Sequence, residues 1–121
     1  MTTTVVIVDD HAGFRAMARN LLEDAGFEVV GEAADGGSSL ATVRALRPGL
    51  VLLDVQLPDL DGFTVAEELA KTSLDTTVVL TSVRLAADYG FHRATVTSAR
   101  ALVPKAELSG TILSELLRGV R

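Results

Sequence analysis

Three aspartates, Asp9, Asp10 and Asp54, each follow a run of aliphatic residues. Val5–Val8 leads directly into the acidic pair, and Leu50–Leu53 leads directly into the third aspartate. Short, uninterrupted apolar runs predict strands that are buried on both faces, as in a parallel sheet covered by helices. Such sheets bind ligands beyond the carboxyl ends of their strands, at the point where the strand order reverses. We therefore expect two distant parts of the chain to bring carboxylates to one edge of a sheet.

A cluster of three carboxylates predicts a bound cation, because the negative charges repel one another. Mg²⁺ is the natural candidate, since it is a hard ion that prefers oxygen ligands. Thr81 and Lys105 follow the predicted fourth and fifth strands and would add a hydroxyl and an ammonium to the same edge. These are the groups needed to form an aspartyl phosphate: one carboxylate attacks phosphorus, and the cations and the hydroxyl bind the phosphoryl oxygens.

Each of these residues also has an ordinary structural interpretation. The acidic pair could form a solvated turn or a helix cap, and Thr81 could simply end a strand because threonine favours β structure. Lys105 could be a surface lysine. The coincidence of all of them at the predicted reversal point favours the phosphoryl-transfer interpretation. His11, beside the acidic pair, is expected to face solvent because Mg²⁺ prefers oxygen.

The elements that must position these residues alternate between strands and helices. We predict strands at Thr4–Val8, Phe27–Ala33, Leu50–Leu53, Thr77–Leu80 and Ala101–Val103, and helices at Phe14–Ala25, Ser39–Leu46, Phe63–Lys71, Ala86–Val96 and Ser109–Val120. Ser38 or Ser39 is expected to cap the second helix, and Arg15 and Arg19 to form the solvated face of the first. Five βα units predict an α/β fold: a doubly wound parallel sheet in the order 2-1-3-4-5, with five helices on both faces.

Composition excludes several classes of protein. The 121 residues suffice for one domain with a hydrophobic core, and 48% of them are hydrophobic. The net charge of −5 argues against nucleic-acid binding by this chain, and the absence of cysteine excludes disulfides and thiolate sites. The start of the chain does not resemble a signal peptide, and no apolar segment is long enough to cross a membrane. We therefore expect one cytoplasmic domain over residues 1–121, with no output domain and no membrane contact.

Over its whole length the chain resembles the receiver domain of two-component response regulators, a family with a flavodoxin-like fold. The resemblance rests on the following residues at strand ends and in the loop after the third strand: Asp9, Asp10, Asp54, Leu57, Pro58, Gly62, Thr81 and Lys105. Two short segments of the sequence are similar to those in receivers of regulators that also carry a helix-turn-helix DNA-binding domain. The segments that carry this second likeness are Val29-Val30-Gly31-Glu32-Ala33 and Pro104-Lys105.

The resemblance implies a role for each residue of the metal site. Asp54 matches the phosphoacceptor of the family, and Asp10 matches the direct ligand of Mg²⁺. Asp9 matches the acidic residue that holds a metal-bound water. Gln56 occupies the position that offers its backbone carbonyl to the metal.

The resemblance extends to the residues that bind the phosphoryl group. Thr81 matches the switch hydroxyl that moves toward this group, and Lys105 matches the phosphate-binding lysine. Leu102 stands where the family often has an aromatic residue that swings inward on activation, so a readout by ring rotation is not expected. We further hypothesise that Arg84 and Gln56 flank the path of the water that attacks the phosphoryl group, and so set its lifetime.

The implied function is a signalling switch rather than an enzyme with a separate substrate. A sensor histidine kinase would donate a phosphoryl group to Asp54, and the domain would shift between two states to control an output domain or partner in transcription regulation. A homodimer through the face formed by the predicted fourth helix, fifth strand and fifth helix is a further expectation.

Two other functions are weighed against this one. A phosphatase with an aspartyl-phosphate intermediate would carry Asp-x-Asp after its first strand, whereas here the candidate nucleophile follows the third strand and Gln56 stands two residues beyond it. A pseudo-receiver that is never phosphorylated would act as a protein-interaction module. Such domains usually lack an acidic residue or the lysine, and this chain has them all.

Overall fold

Strands and helices alternate along the chain in the computed structural model, which describes residues 2–72, 75–83 and 99–117. The strands are β1 (Thr4–Val8), β2 (Glu28–Ala33), β3 (Leu50–Asp54), β4 (Thr77–Ser82) and β5 (Ala101–Pro104). The helices are α1 (Ala12–Asp24), α2 (Gly36–Leu46), α3 (Gly62–Thr72) and α4 (Gly110–Leu117), with a 3₁₀ turn at Lys105–Glu107. The helix predicted at Ala86–Val96 lies outside the described residues. None of the helices in the described ranges is long and apolar enough to cross a membrane.

The five strands form one parallel sheet in the order β2-β1-β3-β4-β5, which confirms the predicted topology. The chain moves from β1 to one edge and then returns past β1 to β3, so the reversal point lies between these two strands. Adjacent strands are in register where they end. Asp54 of β3 lies beside Thr81 of β4, which in turn lies beside Val103 of β5.

Apolar layers cover both faces of the sheet. Successive residues of β1 and β3 alternate between the two layers, and this is why the aliphatic runs lack polar positions. The layer under α2 and α3 includes Val43, Phe63 and Leu69. The layer under α1 and α4 includes Leu22 and Leu113, which are fully buried. The central strands are therefore a rigid support for the residues at their carboxyl ends.

Helix α2 begins at Gly36, so the predicted cap at Ser38 or Ser39 is wrong. The cap is Asp35, whose side chain accepts a 2.7 Å hydrogen bond from Ser38 N. A second aspartate, Asp59, reaches across from the β3–α3 loop and accepts from Gly36 N at 2.7 Å and from Gly37 N at 2.9 Å. These two carboxylates satisfy the first amide groups of the helix, so it can start earlier than the local sequence suggests.

Candidate functional site

Four strand ends converge on the candidate site. Asp9 follows β1, Asp54 is the last residue of β3, Thr81 lies in β4 and Lys105 follows β5. Asp9 N donates to the carbonyl of Ala33 at 3.0 Å, and this bond extends the β1–β2 ladder beyond the last residue of β1. The sheet itself thus positions four of the predicted site residues: Asp9, Asp54, Thr81 and Lys105.

The ammonium of Lys105 lies between the two buried carboxylates. Its Nζ is 2.6 Å from Asp9 Oδ2 and 3.4 Å from Asp54 Oδ2. The side chains of Asp9 and Asp54 are 0% and 7% exposed, so water screens these interactions weakly. Nζ also lies 4.2 Å from the centroid of the Phe14 ring, a cation–π contact that helps to hold the lysine over the site.

The pKa values of these groups shift in different directions. Burial raises the pKa of Asp54, and the negative charge of Asp9 adds to this effect, while the Gln56 N–H and Lys105 oppose it. Burial also disfavours the charge on Asp9, but the adjacent Lys105 ammonium and the hydrogen bond from His11 N together outweigh burial and lower its pKa. Burial disfavours the ammonium of Lys105 too, yet the two carboxylates outweigh it and raise the pKa of the lysine.

Asp10 and His11 lie on the outer side of the pocket. The side chain of Asp10 is 37% exposed and that of His11 is 72% exposed, so the histidine faces solvent as expected. His11 Nδ1 lies 3.0 Å from Asp10 Oδ1 and 3.2 Å from Asp9 Oδ1. Each of Asp9, Asp10, His11 and Asp54 offers a ligand atom within 4.8 Å of the others.

This set of donors fits Mg²⁺. Three of the four groups are carboxylates, the ligands that this ion prefers. Among the described residues, Asp9 Oδ2 makes the ion pair with Lys105 but no well-aligned hydrogen bond. Three carboxylates facing one ammonium leave the pocket with net negative charge, which a divalent cation would neutralise.

The hydroxyl of Thr81 is buried, and its Oγ1 has no hydrogen-bond partner in the part of the chain that the structure describes. An unsatisfied buried polar group costs about 1–3 kcal/mol. Such a group gains most from an incoming hydrogen-bond partner, and a phosphoryl oxygen on the neighbouring Asp54 would be one.

The β3–α3 loop borders the site and is tightly held. Gln56 N donates to Asp54 Oδ1 at 3.1 Å, and Gly62 N donates to Val55 O at 2.6 Å. A Cβ atom at Gly62 would collide with the Asp54 carbonyl and lie 2.8 Å from Val55 Cα, so only glycine fits. The role of the Gln56 carbonyl as a metal ligand stays a prediction.

Asp59 and Arg15 make contacts that the sequence pattern does not indicate. Asp59 anchors the loop to α2, and its only sequence signal is its place among the turn-forming residues. Arg15 was expected on the solvated face of α1, but its Nη1 donates to the backbone carbonyl of Asp9 at 2.6 Å. Leu102 is half-buried against the core under α2 and α3. Arg84 lies outside the described residues.

Comparisons with known proteins agree with this geometry. The model of the response regulator receiver domain family matches residues 5–116. The DNA-binding transcriptional activator EvgA of Escherichia coli K12 is 32% identical over 111 residues, which cover 92% of this chain and 54% of EvgA. A Pseudomonas aeruginosa protein described as a transcriptional regulator is 42% identical over 76 residues, or 63% of this chain and 37% of that protein. The chain thus spans about half the length, or less, of these relatives.

The fold also matches solved structures. The signal receiver domain of the response regulator NarL from Mycobacterium tuberculosis superimposes with a TM-score of 0.84 and 30% sequence identity. The match covers 97% of this chain and 98% of that domain.

Proposed function

We propose, because this chain belongs to the response regulator receiver domain family, that Asp54 accepts a phosphoryl group from a sensor histidine kinase in a Mg²⁺-dependent reaction. The observation that carries the proposal is the position of the Lys105 ammonium, 2.6 Å from Asp9 Oδ2 and 3.4 Å from Asp54 Oδ2. This arrangement gathers a nucleophile, a metal-binding acid and a cation for the phosphoryl group at the reversal point of the sheet.

In the transfer, a carboxylate oxygen of Asp54 attacks phosphorus and forms the new P–O bond. The bond from phosphorus to the kinase imidazole nitrogen breaks, and its electron pair leaves with the nitrogen. The carboxylate must be ionised to attack, and Lys105 favours that state although burial opposes it. The hydrogen bond from Gln56 N to Oδ1 fixes the orientation of the carboxylate.

The remaining residues bind the charge of the transferred group. Asp9, Asp10, Asp54 and the Gln56 carbonyl would hold Mg²⁺, which neutralises phosphoryl oxygens when bound. Lys105 already lies within reach of Asp54, so its ammonium can bind one phosphoryl oxygen. The Thr81 hydroxyl, unpaired among the described residues, can donate to another.

The bound phosphoryl group then shifts the domain between two states. Movement of Thr81 toward this group would draw the end of β4 toward Asp54, because the two residues lie side by side on adjacent strands. We propose that residues 1–121 form the receiver unit and that its output is transcription regulation, through a DNA-binding domain or a partner. This output is supported by the relative EvgA, which is described as a DNA-binding transcriptional activator. The homodimer face formed by the predicted fourth helix (Ala86–Val96, outside the described residues), β5 and α4 stays a proposal.

The test is intact-mass analysis after incubation with MgCl₂ and acetyl phosphate. We expect a gain of one phosphoryl mass in the wild type and in Asp24→Asn, an exposed aspartate at the end of α1 that serves as the matched control. The gain should be absent in Asp54→Asn and in the presence of a chelator. No gain in the wild type, under conditions that modify another receiver, would instead favour a pseudo-receiver that acts only by binding partners.

A further inference from the structure

Arg15 contacts the loop after β1 that carries Asp9 and Asp10. Its Nη1 donates to the main-chain carbonyl of Asp9 at 2.6 Å, and its Nε donates to Glu32 Oε1 of β2 at 2.9 Å. We propose that Arg15 is a positioning residue for the acidic pair: it fixes the peptide group between Asp9 and Asp10 and thereby sets the affinity of the site for a divalent cation. This inference rests on the proposed function of the same site.

The carbonyl that Arg15 holds belongs to the peptide bond that joins Asp9 to Asp10. A peptide group is planar, so a bond to its oxygen fixes the orientation of the whole plane. The other end of Asp9 is held independently, by the hydrogen bond from Asp9 N to Ala33 O at 3.0 Å. This plane fixes the positions of Asp10 N and Cα, the atoms from which the Asp10 side chain extends. Arg15 therefore acts on Asp10, the expected direct ligand of the metal, without touching its carboxylate.

Glu32 holds the guanidinium of Arg15 in place. Its carboxylate accepts from Arg15 Nε at 2.9 Å through one oxygen, and from Arg19 Nε at 3.0 Å and Nη2 at 2.7 Å through the other. The side chains of Arg15 and Glu32 are only 20% and 30% exposed. Because a guanidinium is a rigid planar fork, fixing Nε from the β2 side aims Nη1 at the Asp9 carbonyl.

Arg19 provides a matched control for this role. It binds the same Glu32 carboxylate, but its other ionic contact is Glu23 on α1, at 3.6 Å, rather than the acidic loop. A purely structural ion-pair network would make Arg15 and Arg19 equivalent. Positioning of the acidic pair makes them different, because only Arg15 reaches the Asp9 carbonyl.

The test is calorimetric titration of the protein with MgCl₂ in the absence of any phosphodonor. We expect Arg15→Ala to weaken Mg²⁺ binding about tenfold, the lower end of the losses seen when the residues that orient metal ligands are removed. Arg19→Ala should bind Mg²⁺ like the wild type while losing a comparable amount of thermal stability. Equal Mg²⁺ affinities of the two alanine variants would overturn the proposal.

Two further measurements separate positioning from other effects. The rate of phosphorylation by acetyl phosphate should fall in Arg15→Ala at low Mg²⁺ and recover at saturating Mg²⁺, because Asp54, Thr81 and Lys105 are unchanged. Arg15→Lys keeps the positive charge without the planar fork, so it should not restore Mg²⁺ affinity. Full restoration by lysine would mean that charge and not position is the cause. Failure of the wild type both to bind Mg²⁺ and to gain a phosphoryl group would overturn the proposed function itself.

Discussion

The end of β1 and the end of β3 each carry a buried aspartate, yet the two are stabilised very differently. Asp9 receives a 2.8 Å hydrogen bond from His11 N, and Lys105 lies 2.6 Å from its Oδ2. Asp54 receives a longer, 3.1 Å hydrogen bond from Gln56 N and a 3.4 Å hydrogen bond from Lys105 Nζ. The pKa of Asp9 is lowered as a result, whereas burial, the dominant effect on Asp54, raises the pKa of that carboxyl.

This asymmetry matches two different chemical tasks. A carboxylate whose charge is well stabilised is a good permanent ligand for a cation and a poor nucleophile. A carboxylate whose charge is less well stabilised gains more from bonding to phosphorus and from the metal that accompanies it. The proposed function thus assigns metal binding to Asp9 and nucleophilic attack to Asp54 at one edge of the sheet, and the shared lysine lies closer to Asp9.

Removal of the shared cation should have the largest effect. Lys105→Met keeps a long, unbranched side chain but removes the ammonium that lies over the Phe14 ring, and so leaves two buried carboxylates without their counter-charge. We expect a loss of about 3 kcal/mol in the free energy of unfolding, the scale for breaking a buried ion pair. Urea unfolding at neutral pH with a chelator measures it. Lys71→Met is the control, because Lys71 is 70% exposed beside Glu68 and should cost at most about 1 kcal/mol. Similar losses in both variants would contradict a buried ionic centre.

The tight turn after β3 should be the next most sensitive feature. In Gly62→Ala the new methyl group would collide with the Asp54 carbonyl and with Val55, so we expect a loss of about 2 kcal/mol and slower phosphorylation. Gly13→Ala is the matched control within α1, where nothing lies within 4 Å of the added Cβ. That change should stabilise the protein by about 1 kcal/mol, since alanine is the better helix former. A harmless Gly62→Ala would mean that the loop beside Asp54 is not held as tightly as its contacts indicate.

The asymmetry between the two aspartates predicts that replacing each by asparagine changes the free energy of unfolding in opposite directions. The lowered pKa of Asp9 means that its charge stabilises the fold at neutral pH, so Asp9→Asn should lower the free energy of unfolding, by about 1 kcal/mol. The raised pKa of Asp54 means that its charge opposes folding at neutral pH, so Asp54→Asn should increase the free energy of unfolding. Unfolding in urea with a chelator present compares the two. Changes of the same sign would show that the two strand ends do not differ as described.

Much of this arrangement could be predicted from the sequence. The aliphatic runs before Asp9 and Asp54 predicted the central strands, and the alternation of elements predicted the strand order. The receiver motif predicted which polar residues would meet. These features follow from local periodicity and from topology, which a single chain displays directly.

The parts that could not be predicted depend on contacts between distant elements. Nothing near Gly36 indicates that Asp59 would cap α2 from another loop. The helical spacing of Arg15 correctly places it beside Arg19, but that spacing cannot show that one guanidinium reaches the Asp9 carbonyl. The difference between Asp9 and Asp54 depends on burial and on distances to Lys105, which no motif specifies.

The smallest expected effect concerns Glu32, the anchor of the two arginines. Arg19 foremost, and then Arg15, lower the pKa of Glu32 below its ordinary value. A lowered pKa in the folded state contributes stability that is present above the ordinary pKa of glutamate and is lost as the pH falls through the folded value. The contribution should stay below about 1 kcal/mol, because these side chains are partly exposed and screened by salt. Glu32→Gln should therefore unfold at lower urea than the wild type at neutral pH, and the difference should vanish once the pH is well below the pKa of Glu32. If the two proteins still unfolded at different urea concentrations in acid, Glu32 would hold Arg15 and the chain after β1 through hydrogen bonding rather than through charge.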